Sequence, residues 1–248
     1  MEQFGLAGRF YYSRLNDTGK KAYRLLLGGM NEQKTKIRIS DHQLAAKDLK
    51  KIYSAINLDN PEMFWPDYYK LKWINSLSGC TALPSYFYEK QEKETLHAQL
   101  HTWMIHVCGQ IPSGVSEGEK VWMIYDYLAR RVNYKKDVLA LSNTVIGPMK
   151  KNYHASVCEG TAKAFKLLCE AAGIPCIVMI GDAAVKNSET VLHAWNMVRL
   201  GNAYRHVDAT WEISHAHMRG IADDSRFLKK DSDMTCYSWN RTEVPLCR

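Results

Sequence analysis

Ser156-Val157-Cys158-Glu159-Gly160-Thr161-Ala162-Lys163-Ala164-Phe165, followed by Gly173-Ile174-Pro175 and the apolar run Cys176-Ile177-Val178-Met179-Ile180, is the stretch on which the fold turns. Ala162, Phe165, Leu168, Cys169 and Ala172 recur at helical spacing, and Gly173 with Pro175 ends the run. The pattern predicts a helix with Cys158 at its start, then a buried strand over 176–180. A helix start presents unpaired N–H groups and about half a positive charge, both of which favour a thiolate. Gly160 leaves room beside the sulfur, whereas Cys169 and Cys176 sit in apolar runs as small core residues.

Downstream, 191–200 and 203–208 read as a hairpin across Gly201-Asn202. A two-residue turn sets Leu200 against Ala203, so Trp195 faces Asp208. His193, two places from Trp195, lies on the same face and diagonal to Asp208, within reach of an imidazole–carboxylate hydrogen bond. A thiol at a helix start, with an imidazole backed by a carboxylate, is the set that nucleophilic acyl transfer needs. The imidazole moves the proton, and the carboxylate fixes its tautomer. Each residue alone has a plainer reading, a core cysteine or a satisfied strand histidine. It is their order and context that point to chemistry.

Upstream, helices are expected over 19–27 and 41–56, the second stopped by Asn57 to Pro61. The stretch 69–73 alternates like a half-buried strand, with 84–88 as its expected partner. A helix over 91–109 carries Leu96, Leu100, Trp103, Met104 and Val107. Another opens on the capping-box pattern Ser116-Glu117-Gly118-Glu119 and buries Val121, Ile124, Tyr125, Leu128 and Val132. Residues 135–157 show no period and read as a long loop.

These motifs resemble the transglutaminase-like superfamily. The residues that carry the likeness are 156–165, Gly173-Ile174-Pro175, His193-Ala194-Trp195-Asn196 and Val207-Asp208-Ala209-Thr210-Trp211, spanning roughly 115–215. Residues 8–75, with Asp59-Asn60-Pro61-Glu62-Met63-Phe64-Trp65, look like the helical front of bacterial members. The resemblance implies an α+β, papain-like core, its nucleophile helix packed on an antiparallel sheet and preceded by a mainly helical N-terminal region. The boundaries expected are 1–90 for that region, packed on the core, and 91–248 for the catalytic domain. It also implies a triad of Cys158, His193 and Asp208 and thioester chemistry on peptide or glutamine amides. Ser156 stands where many members have Gly, which bears on the backbone path into the helix.

The tetrahedral intermediate needs a second oxyanion donor beside the Cys158 N–H. Candidates are Tyr134, at the family's Val-x-Tyr position, Asn152 and His154. Trp195 is expected to shield the triad from water or simply to pack the core. Neither a metal nor a cofactor is implied. His215-x-His217 reads as a solvated surface pair, the pair His97 and His101 on a helix has no evident third ligand, and a zinc hydrolase is a distant alternative.

Composition sets the outer bounds. The chain has 248 residues, 46% hydrophobic and 24% charged, which excludes a largely disordered chain or a disulfide scaffold. Its net charge of +7 comes without a dense basic stripe interleaved with aromatics, so nucleic acid is not an expected partner. Nor does any apolar run approach a membrane span. Seven cysteines, an odd number with no Cys-x-x-Cys pair, read as free thiols. No secretory h-region follows Met1, which points to the cytoplasm, or to the cell surface if a signal has been removed. The expected partner is a protein or peptide substrate. The expected enzyme is a cysteine peptidase or amidase, preferred over a transglutaminase because no Asp-x-Asp-x-Asn calcium loop occurs. The alternative from a different class is an inactive peptide-binding module of the same fold.

Overall fold

The computed structural model describes residues 9–150, 154–184, 189–220 and 222–248, with the side chains at 214, 215 and 217–219 outside the described set. The chain divides into two units, residues 1–96 and 97–248.

In the first unit, helix α1 (Phe10–Ser13) precedes α2 (Asp17–Asn31), whose Asn16 cap accepts the Gly19 N–H at 2.8 Å. Strand β1 (Ile37–Ser40), helix α3 (Ala46–Asp59), and strands β2 (Trp73–Ser76) and β3 (Gly79–Ala82) follow. The strands form an antiparallel sheet in the order β1-β3-β2. The Asp59–Trp65 phrase is structural. Buried Asp59 accepts the N–H groups of Tyr11 (3.0 Å) and Tyr12 (2.8 Å), Asn60 donates to Tyr23 Oη, and Trp65 Nε1 donates to the Met30 carbonyl at 2.9 Å.

The strand expected at 69–73 is displaced. Asp67 closes a turn instead, its Oδ1 accepting the Tyr69 N–H and its carbonyl the Lys70 N–H, so β2 starts only at Trp73. The expected pairing partner, 84–88, bonds to 65–67, through Asp67 N–H to Ser85 O and Phe87 N–H to Trp65 O.

Helix α4 (Lys90–Cys108) runs through the division between the units. Of its expected stripe within the second unit, Leu100 and Val107 are buried, while Trp103 and Met104 are half-buried. Helix α5 (Glu117–Arg131) starts on a complete capping box, with the Ser116 N–H donating to Glu119 at 2.8 Å. The expected loop over 135–157 holds more order than its missing periodicity suggests. Strand β4 (Asn133–Tyr134) pairs in parallel with β5 (Ala155–Ser156), and two single-turn helices, α6 (Leu139–Ser142) and α7 (Ile146–Met149), lie between them.

Helix α8 (Cys158–Ala171) then leads to β6 (Cys176–Ala184), β7 (Thr190–Leu200), β8 (Ala203–Val207) and α9 (Ala209–Arg219). A short strand β9 (Tyr237–Ser238) completes an antiparallel sheet ordered β8-β7-β6-β9. The core joins Val121, Ile124 and Leu128 of α5 to Phe165 and Leu168 of α8 and to Val198 and Val207 of the sheet. No described helix is long and apolar enough to cross a membrane.

Two cations on α8 are buried. Lys166 is buried, donating to the Cys176 carbonyl at 2.8 Å and pairing with Glu170, and so ties α8 to β6. Lys163 is buried between Glu159 and the Asn143 carbonyl. Phe165 is fully buried at the centre of the same helix. Phe165→Ala should destabilise the protein by about 3–5 kcal/mol, measured by urea unfolding, because the cavity cannot collapse between a helix and a sheet.

Candidate active site

Cys158 is the first residue of α8. The residue before it, Val157, has an apolar side chain and gives the helix no side-chain cap. Both α5 and α9 are capped by side-chain oxygens, from Ser116 and Asp208. No side-chain oxygen of its cap residue therefore competes with an anion, either a thiolate or an oxyanion, at the start of α8. Glu159, adjacent in sequence, would oppose that charge, but it is paired to Lys163 at 2.8 Å and accepts from Asn143 Nδ2. Gly160 fulfils a different need from the one its sequence context suggests. A Cβ there would lie 2.4 Å from the Ser142 carbonyl and 2.9 Å from that of Thr144, so the space it spares holds loop backbone. Ser156 joins the same contact, its hydroxyl donating to the Ser142 carbonyl at 3.2 Å.

The hairpin has the expected register. Leu200 opposes Ala203 and Asn196 opposes Val207, with the turn reversed at Gly201 (φ 55°). Asp208 follows directly as the cap of α9. Its Oδ1 accepts the N–H groups of Thr210 (3.0 Å) and Trp211 (3.2 Å). The other oxygen, Oδ2, meets His193 Nε2 at 2.7 Å and accepts the Tyr237 hydroxyl at 2.7 Å. Four donors thus satisfy a carboxylate that is 1% exposed. Burial and the neighbouring Asp208 push the Tyr237 phenol upward, which keeps it a donor.

With Nε2 committed to Asp208, Nδ1 is the ring nitrogen left to face the Cys158 thiol, whose influence on His193 is to favour the protonated ring. Burial alone would favour the neutral ring. Asp208 and Cys158 outweigh it and raise the His193 pKa from 6.5 to about 10.

Trp195 is buried and stacks against His193, with ring centroids 6.1 Å apart and planes 13° from parallel. Its Nε1 donates to His206 Nδ1 at 3.1 Å, and His206 Nε2 meets Asp231 Oδ1 at 2.8 Å. An indole N–H only donates, so Nδ1 of His206 accepts and the ring proton sits on Nε2. This matters for a second cluster, in which ligand atoms of His206, Asp231 and Cys247 lie within 4.8 Å of one another. A metal would need the Nε2 lone pair, and the tautomer that Trp195 imposes removes it. Burial, in turn, keeps the Cys247 thiol protonated, at about 12. The cluster is a hydrogen-bonded brace for Trp195.

Of the oxyanion candidates, Tyr134 is 56% exposed, and its hydroxyl is held protonated by burial of part of the ring and by the nearby Cys158 and Asp208. His154 turns its Nδ1 to the Pro148 carbonyl at 3.0 Å. Asn152 lies outside the described residues, as do the His215 and His217 side chains. Tyr237 and the His206–Asp231 pair escape the sequence reasoning. Nothing in the spacing marks Tyr237, on a two-residue strand. The register that places His193 does put His206 on the face of Trp195 and Asp208.

A model of the transglutaminase-like superfamily matches residues 89–209, a span that includes Cys158, His193 and Asp208. Residues 89–209 are thus similar to the transglutaminase-like superfamily. Among solved structures, a TGase is 13% identical, with 68% of this chain and 48% of that one covered and a TM-score of 0.40. A candidate cysteine protease from Cytophaga hutchinsonii is 16% identical, over 68% and 70% of the two chains, with a TM-score of 0.37. A candidate protease from Parabacteroides distasonis is 13% identical, over 58% and 30%, with a TM-score of 0.29. The chain therefore spans about half the length of the first of these. Comparison with curated proteins gives no match.

Two outcomes are expected in this transglutaminase-like core. Because the folded His193 pKa lies above its ordinary 6.5, protonation favours the folded state. That contribution is complete below about 6.5 and disappears as the pH rises through about 10. The melting-temperature gap between wild type and His193→Gln should accordingly narrow from pH 6 to pH 10. Tyr237→Phe removes one donor from the buried carboxylate and should cost about 1–3 kcal/mol by denaturant unfolding at pH 7.

Proposed function

We propose that this protein is a cysteine-dependent acyl-transfer enzyme acting on peptide or glutamine amide bonds, with hydrolysis as the outcome. The observation that carries the proposal is the His193–Asp208 hydrogen bond of 2.7 Å, set beside a helix start that offers Cys158 no side-chain cap.

In this reading the Cys158 sulfur attacks the amide carbonyl carbon while His193 holds the thiol proton. The oxyanion that forms accepts the Cys158 backbone N–H, with Tyr134 as the proposed second donor. The C–N bond then breaks as His193 passes its proton to the leaving nitrogen, giving a thioester and free amine. Water, deprotonated by the same ring, attacks the thioester, and the sulfur departs as thiolate. Asp208 keeps the ring oriented and stabilises the imidazolium throughout. Trp195, stacked on His193, limits water on that side of the ring.

The test is incubation with casein-like and glutamine-containing peptides, with and without a labelled amine, beside a Cys158→Ala control. Wild type should release ammonia or new amino termini, and the control should give none. Loss of the His193 imidazole in His193→Ala should cost on the order of 10²–10⁴-fold in kcat/KM. Iodoacetamide should alkylate Cys158 at pH 6 faster than it does a simple thiol. Equal signals from wild type and Cys158→Ala would favour a peptide-binding module, and amine incorporation in preference to hydrolysis would reassign the reaction to transamidation.

A further inference from the structure

A cavity of about 830 Å³ lies wholly in the second unit, lined by Trp103, Tyr127, Arg131, Met149, Lys150 and His154 among others. We infer that it is a substrate subsite that takes an acidic side chain of the peptide, an inference that rests on the acyl-transfer reading above.

The lining is cationic and aromatic, and none of its described residues is acidic. Trp103 Nε1 donates to the Tyr127 hydroxyl at 3.0 Å, which fixes the two rings with centroids 6.4 Å apart. The Arg131 guanidinium lies over Tyr127, 5.0 Å from the ring centroid. Arg131 therefore rests against a ring. Among the described residues no carboxylate pairs with it, whereas its neighbour Arg130 is paired to Asp126. An exposed guanidinium set over a ring, with no carboxylate partner among the described residues, is suited to bidentate capture of a carboxylate. Lys150, exposed, adds a second charge to the lining, and buried Met149 adds apolar surface for a side-chain stem.

Position supports the assignment. His154 lies four residues before Cys158, with β5 between them, so the two Cα atoms are at most about 14 Å apart at ~3.5 Å per residue. An extended peptide acylating Cys158 can thus place a side chain two to four residues from the reacting amide at this cavity. The preferred substrate is one with Glu or Asp at that distance.

The experiment uses full-length protein carrying Cys158→Ala and, in parallel, Cys158→Ser. Each is titrated with a fluorescein-labelled nonapeptide holding a central Gln and Glu residues two to four positions away, and with its twin in which those Glu residues are Gln. Anisotropy should show the Glu peptide binding about tenfold or more tightly, a preference that shrinks with added salt. Arg131→Gln should remove most of the preference, Arg131→Lys should restore it only in part, and Arg130→Gln should leave it intact. Equal affinity for the two peptides, or a preference indifferent to Arg131→Gln, would overturn the inference. Because binding is read apart from turnover, the two readings fail separately: loss of the Arg131-dependent preference overturns the subsite, and absence of catalysis in wild type overturns the acyl-transfer reading and, with it, the role of this cavity as a substrate subsite.

Discussion

The candidate site depends on how one buried carboxylate is shared. Asp208 uses Oδ1 to cap α9 and Oδ2 to hold His193 and Tyr237. A carboxylate taken this far out of water is tolerable only when its lone pairs are met by donors. Here the donors come from a helix, a strand from the hairpin and the short strand at the opposite edge of the sheet. Removing any one element leaves an unmet anion, so the fold and the imidazole's orientation stand together.

Charge on the other side of the site is managed on the nucleophile helix. Glu159 beside Cys158 would disfavour a second anion, and the buried pair with Lys163 offsets it. Lys163 also reaches the Asn143 carbonyl, which fixes the loop that Gly160 allows to approach. The helix start, with no side-chain cap from Val157, thus has its one nearby carboxylate paired to a lysine.

Much of this was legible in the sequence because it follows short periods. The 3.6-residue spacing from Ala162 to Ala172 and the two-residue turn at Gly201-Asn202 located Cys158, His193 and Asp208 on their elements, and both elements are found as expected. Long-range partners were not legible. Tyr237 reaches Asp208 across 29 residues, and Asp231 reaches His206 across 25, past α9 and then irregular chain, a separation no short period spans. Local turn chemistry also defeated alternation at 69–73, where Asp67 captured the backbone before a strand could form. The buried lysines of α8 were hidden for a related reason, since burial of a cation is decided by a carbonyl or carboxylate elsewhere in the fold.

The tight reversal at Gly201 has one more consequence. Side chains on a strand alternate between faces, so the number of residues separating His193 from Asp208 acts as a parity rule. Homologous hairpins can lengthen or shorten by pairs and still bring imidazole and carboxylate to one side, whereas a single insertion needs a bulge to restore the match. Divergence in this chain's relatives should therefore leave even-numbered length changes in that loop as its trace.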